Sequence, residues 1–146
     1  MPNTIQLHRV FRCPASRLWR GLTDPRAMVK WSPPHGFVAE MHAHDFRVGG
    51  SYRMSFTNLG SSASHSFGGT YEEIVPEQKL RYSDQFENPG MPGAMGVTIT
   101  LREIVGGTEL NIVQSGVPDA IPAGFCYLGW QQSLDMLAAL VEPEIP

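Results

Sequence analysis

With 146 residues, 42% of them hydrophobic and 17% charged, the chain can bury a substantial core, which excludes a disordered polymer. A net charge of -3 gives no basic footprint for nucleic acid, and the cations are too scattered for a polybasic membrane patch. Two cysteines, Cys13 and Cys126, are too few for a disulfide scaffold and lie in no metal-like spacing, so each is expected to be a buried structural thiol.

The first residues, MPNTIQLHRVF, lack the basic start and continuous apolar run of a secretory signal. No stretch approaches the roughly 20 apolar residues of a membrane-spanning helix. A cytoplasmic location is expected. Ile5, Leu7 and Arg9 alternate with Gln6 and His8, which predicts a short first strand. Pro14 suits the first turn of a helix with Leu18, Trp19 and Leu22 on its apolar side. Asp24 can then cap a second short helix that starts with Pro25 and ends before Trp31-Ser32-Pro33-Pro34.

From Phe37 the period becomes two. Phe37, Ala39, Met41 and Ala43 share one face, while Glu40, His42 and His44 share the other. Gly49-Gly50 reads as a two-residue hairpin into Tyr52, Met54 and Phe56, and Asn58 to Ser64 as a small-polar loop. A strand over about Phe67 to Val75 carries Tyr71, and Gly68-Gly69 within it signals a bulge or a close backbone approach. Leu80, Tyr82, Asp84 and Phe86 follow, then a loop from Asn88 to Gly93 with Met91 at its tip. Val97, Ile99 and Leu101 form one further strand, and Gly106-Gly107 turns into Leu110, Ile112 and Gln114. After Pro118 the period is helical, with Tyr127, Trp130, Leu134, Leu137 and Val141 on an apolar stripe that Pro143 ends.

Six consecutive strands with tight connections form an antiparallel meander, apolar on one face. The C-terminal helix is the long amphipathic element available to cover that face. Twist curls so wide a sheet, and a single helix leaves it incompletely filled. The predicted architecture is one α+β domain over residues 1–146. It has a seven-stranded curved antiparallel sheet wrapped on the C-terminal helix, two short helices after the first strand, and an aromatic-lined cavity between sheet and helix.

Three ordered blocks resemble the homologues of the heat-shock-protein-90 ATPase activator, within the START-like (birch-pollen-allergen-like, SRPBCC) superfamily. The first is Cys13-Pro14, Leu18-Trp19, Thr23-Asp24-Pro25 and Trp31. The second runs from Asp45 to Arg53 through Gly49-Gly50, then from Gly69 to Pro76 and on to Leu80. The third is Gly107-Thr108-Glu109-Leu110, Gln114-Ser115-Gly116, and Gly129-Trp130 with Leu134 and Leu137. The resemblance implies a helix-grip fold with a hydrophobic cavity and supplies no shared catalytic set or metal site. The eukaryotic namesake stimulates the chaperone ATPase with an additional N-terminal domain, for which this chain has no room.

His42 and His44, with His65 on a nearby strand, are the nearest approach to a metal motif, but their face is expected to be solvated. Asp45 and Arg47 are expected to pair at the sheet rim, or Arg47 to hold an acidic ligand group. Glu73, Asp84 and Gln114 share the aromatic face, where a carboxylate would have a raised pKa. The ligand-binding set is therefore Trp31, Tyr52, Met54, Phe56, Phe67, Tyr71, Glu73, Tyr82, Phe86, Gln114, Trp130 and Leu134. No catalytic residue, metal or cofactor is assigned.

The expected function is binding of a small hydrophobic or aromatic molecule. The alternatives are an activator-like module that contacts a chaperone, and a cavity enzyme of cyclase, aromatase or hydrolase type that uses Glu73 or Asp84. A homodimer through an open strand edge or face is a further expectation. No nucleic-acid or membrane partner is expected.

Overall fold

A computed structural model of the chain describes residues 3–88 and 93–145. Strand β1 (Asn3–Phe11) is followed by helices α1 (Ala15–Thr23) and α2 (Pro25–Trp31). Six strands follow: β2 (Phe37–His44), β3 (Ser51–Asn58), β4 (Ser64–Val75), β5 (Lys79–Phe86), β6 (Met95–Ile104) and β7 (Gly107–Val117). Helix α3 (Ala123–Val141) ends the chain's regular structure. The strands form one antiparallel sheet in the order β1-β7-β6-β5-β4-β3-β2. This is the helix-grip arrangement that the alternating and helical periods predict. Among the described residues no helix is long and apolar enough to cross a membrane.

Local chemistry sets the helix boundaries. Asp24 closes α1, its N–H donating to the Arg20 carbonyl, and opens α2, its carboxylate accepting from the Arg26 amide at 2.8 Å. Pro14 lies one residue earlier than the sequence reading placed it, as the N-cap of α1, because its extended backbone leaves only its carbonyl to start the helix. The indole N–H of Trp31 donates to the Gly21 carbonyl at 2.7 Å and so ties α2 to α1.

Helix α3 packs its C-terminal half most deeply. Leu134, Leu137 and Val141 join Phe11, Leu18, Ile99, Leu110 and Ile112 in the main core. Arg9 pairs with Asp135 at 2.8 Å, and Arg17 Nε donates to the Val141 carbonyl at 2.6 Å, fixing that half to β1 and α1. A smaller cluster of Ile5, Met95 and Val117 supports the helix start through Cys126 and Tyr127.

One hairpin reading changes, and the two alternatives at Gly68-Gly69 resolve. Gly49-Gly50 is not a two-residue turn: residues 45–50 form a longer loop in which Asp45 N–H bonds the Ser51 carbonyl and Gly50 N–H the Arg47 carbonyl. Phe46 from this loop stacks edge-on against Trp19 and Tyr71, which explains why a short turn does not suffice. Gly68-Gly69 marks a close approach, since a Cβ on Gly69 would collide with the Ser83 carbonyl. The bulges lie elsewhere, between Met41 and Ala43 in β2 and between Tyr71 and Glu73 in β4. The tip expected at Met91 lies outside the described residues.

Candidate functional site

Alternation brings Tyr52, Met54 and Phe56 of β3, Phe67 and Tyr71 of β4, and Tyr82, Asp84 and Phe86 of β5 to the concave face. Trp31 of α2 and Trp130 and Ser133 of α3 face them. Between these walls lies a cavity of about 260 Å³. Its floor is a triangle of tyrosine rings, with Tyr52, Tyr71 and Tyr82 centroids 5.7, 5.8 and 6.1 Å apart. Phe56, Phe67 and Phe86 close the side toward His65, whose ring lies 5.8 to 6.3 Å from theirs.

Few polar groups interrupt this surface. The Tyr52 hydroxyl donates to Asp84 Oδ1 at 3.1 Å. His44 Nε2 and the Tyr71 hydroxyl share a hydrogen bond of 3.0 Å, its direction set by the imidazole tautomer. Trp130 Nε1 donates to Gln114 Oε1 at 2.8 Å, and Gln114 Nε2 points at Met95 Sδ at 3.5 Å. Ser133 donates to the Ser32 carbonyl at 2.7 Å. Among the described residues the Tyr82 hydroxyl has no hydrogen-bond partner.

Burial governs the ionisation of these groups. It pushes the Asp84 carboxyl up to about 6, against smaller opposing effects of the Tyr52 hydroxyl and the Gln85 amide. It raises the tyrosine hydroxyls of the floor well above their ordinary range, the nearby Asp84 charge adding to this for Tyr52 and Tyr82. It lowers the His44 imidazole, with Asp24 and Asp45 opposing. Burial lowers the His65 imidazole as well, so at neutral pH the site holds one carboxylate among neutral phenols and two neutral imidazoles, His65 at the cavity wall and His44 behind Tyr71. Such a carboxyl can accept a proton from, or return it to, a group brought within hydrogen-bond reach.

All of the predicted lining residues border the cavity except Glu73 and Leu134. Glu73 was expected on the aromatic face. The bulge after Tyr71 turns it to the convex side, where it pairs with Lys79 at 3.1 Å and Arg81 at 3.5 Å. Leu134 lies one turn too far along α3 and packs into the main core. His44 was expected on the solvated face with His42. The bulge after Met41 turns it inward to Tyr71, while His42 bonds Ser55 at 2.8 Å, so the two imidazoles do not converge. Among the described residues no group of three His, Cys, Asp or Glu side chains could hold a metal ion.

Asp45 and Arg47 pair at 2.8 Å and are largely exposed at the rim. Both cysteines are free thiols. Cys13 is buried as expected, whereas Cys126 is half-buried and borders the cavity. Leu22, Met28, Phe125 and Gly129 also border it, a role the sequence analysis did not give them. Of these only Leu22 was placed on an apolar helix side, and helical periodicity does not distinguish the cavity from the core. Phe125, 70% exposed near the start of α3, marks the mouth.

A family model described as activator of Hsp90 ATPase homolog 1-like protein matches residues 12–142. No curated protein matches the chain. Among solved structures, protein CV1439 from Chromobacterium violaceum is 55% identical, with a TM-score of 0.96 over 99% of this chain and 100% of that one. An uncharacterized protein from Rhizobium leguminosarum is 22% identical, with a TM-score of 0.82 over 99% and 97% of the two chains. A protein from Mycobacterium smegmatis is 19% identical, with a TM-score of 0.78 over 98% and 93%. These last two share the fold alone. The seven-stranded sheet gripping α3 and a family match spanning both short helices, β2 to β7 and α3 make this chain a member of the activator of Hsp90 ATPase homolog 1-like family, with a START-type fold.

Proposed function

We propose that the chain binds a small hydrophobic or aromatic molecule between its sheet and C-terminal helix, with no catalytic step assigned. The observation that carries this reading is the cavity of about 260 Å³ lined by Tyr52, Tyr71, Tyr82, Phe86, Trp31 and Trp130. Protein interiors leave few voids larger than a water molecule, and unfilled apolar space costs roughly 24 cal/mol per Å³. Space on this scale forgoes several kcal/mol of packing, which an apolar ligand recovers on entry at about 25 cal/mol per Å² of buried surface. An apolar cavity of about 150 Å³ already accepts benzene. The larger volume here suits a body of one or two rings.

Gly129 provides the test. It borders the cavity, and an added Cβ there meets nothing within 4 Å. A leucine at this position extends into open space without displacing the core. N-phenylnaphthylamine, a neutral dye that brightens in apolar surroundings, is expected to bind saturably to the native chain. Gly129→Leu is expected to abolish the signal while thermal unfolding stays cooperative. Absence of saturable binding to the native chain, or equal binding by Gly129→Leu, would overturn the proposal.

A further inference from the structure

Asp84 is an unusual choice for this wall. Its Tyr52 contact would be met equally well by an asparagine oxygen, without placing a charge in an apolar cavity. A buried carboxylate normally has a cationic partner, yet none of the ion pairs among the described residues includes Asp84. The nearest-strand arginines are committed on the other face, Arg53 to Glu87 at 2.7 Å and Arg81 to Glu72 at 3.1 Å. Among the described residues no lysine or arginine borders the cavity.

The surroundings of the carboxylate are suited to one kind of partner. A carboxylate has about four lone-pair positions. The Tyr52 hydroxyl occupies one of them. Tyr82, two residues before Asp84 on the same face of β5, also borders the cavity; its hydroxyl is unpartnered among the described residues and can also accept. The Tyr52, Tyr71 and Tyr82 rings lie within 6.1 Å of one another, Tyr52 and Tyr71 tilted and each in edge-to-face contact with Tyr82, and all three border the same cavity. An ammonium brings donors for these acceptors and a positive charge for the carboxylate, while the aromatic walls receive an apolar body.

We propose that the ligand supplies the counter-charge that the protein withholds: a protonated amine on an apolar body of one or two rings, its ammonium on Asp84 and the Tyr82 oxygen, its stem against the tyrosine triangle. This rests on the binding reading above and names the ligand class for the same site. Tyr71 is turned away from this task by its bond to His44, so Tyr82 is the hydroxyl that positions the head group.

Three probes of one shape separate the possibilities: naphthylmethylamine, naphthylmethanol and naphthoate, titrated calorimetrically near neutral pH. The amine is expected to bind roughly tenfold to a hundredfold more tightly than the alcohol, the range set by a charged hydrogen bond. Naphthoate is expected to bind most weakly. In Asp84→Asn the amine is expected to fall to the level of the alcohol, with the alcohol unchanged. Tyr82→Phe, a milder change, is expected to weaken the amine alone and keeps the test decisive if Asp84→Asn fails to fold. Saturable alcohol binding with no preference for the amine, or an amine preference that survives both substitutions, overturns the amine class and leaves the cavity reading intact. If none of the three binds, both fall.

Discussion

The Tyr52 hydroxyl reaches Asp84 Oδ1 across 3.1 Å, joining β3 to β5 over the intervening strand β4 inside the cavity. The bond satisfies one carboxylate oxygen but does not neutralise the group.

The consequence for stability depends on pH. Burial raises the Asp84 pKa from 3.8 to about 6, so the folded chain holds that proton more tightly than the unfolded chain does. The stabilisation from the neutral acid is complete below the unfolded value of 3.8 and is lost as pH rises through about 6. Asp84→Asn keeps an acceptor for Tyr52 and never ionises. It is expected to be more stable than the native chain by on the order of 2 kcal/mol above neutral pH, with the gain vanishing in mild acid. Urea denaturation of ligand-free protein across that range checks this. A difference independent of pH would contradict it.

Gln114 and Trp130 make a second link, from β7 to α3 at 2.8 Å. Gln114→Leu fills a similar volume but leaves the half-buried indole N–H without its acceptor. Loss of about 1–3 kcal/mol is expected, the cost of an unmet buried donor. Trp130→Phe removes the donor and leaves the amide oxygen facing the cavity, where water can reach it, so its cost should come mainly from lost ring area. Combining the two is expected to cost less than the sum of the single changes, and a double-mutant cycle by chemical denaturation measures the coupling.

Two glycines should respond oppositely to alanine. At Gly69 a Cβ would meet the Ser83 backbone carbonyl, which cannot move without parting β4 from β5. Gly69→Ala is expected to cost more than about 2 kcal/mol, in the range of overpacked sites. Gly124 lies in α3 with open space at its Cβ position, and Gly124→Ala should stabilise by about 0.5–1 kcal/mol through helix propensity. Melting temperatures that move together in both variants would contradict the packing assigned here.

The architecture was legible because its signals are periodic. Val97, Ile99 and Leu101 against Leu110, Ile112 and Gln114 alternate without interruption, and the structure pairs them face to face on β6 and β7. The misplacements arise where one inserted residue breaks that count. Neither Met41-His42-Ala43 nor Tyr71-Glu72-Glu73 contains the glycine that often flags a bulge, so His44 and Glu73 were assigned to the wrong faces. The visible glycine pair, Gly68-Gly69, serves a close backbone approach instead. Leu134 shows a different limit: helical periodicity identifies the buried stripe of α3 but not the depth at which cavity gives way to core.

Glu73 supplies a check on the corrected face. Its carboxyl is held below the ordinary range by hydrogen bonds and charges from Lys79 and Arg81, which is a property of the convex surface. The depressed value means that this pairing stabilises the fold above the ordinary glutamate pKa and is lost as pH falls through the lower, folded one. Glu73→Gln is therefore expected to leave the affinity for N-phenylnaphthylamine unchanged and to reduce the melting temperature slightly at neutral pH. The difference should disappear in acid, where the native carboxyl is itself protonated. Tyr71 and Glu73 would lie side by side in an unbroken strand, but in the bulged one only Tyr71 touches the cavity. A marked loss of dye binding in Glu73→Gln, with stability unaltered, would place the glutamate back on the aromatic face and remove the bulge from the account.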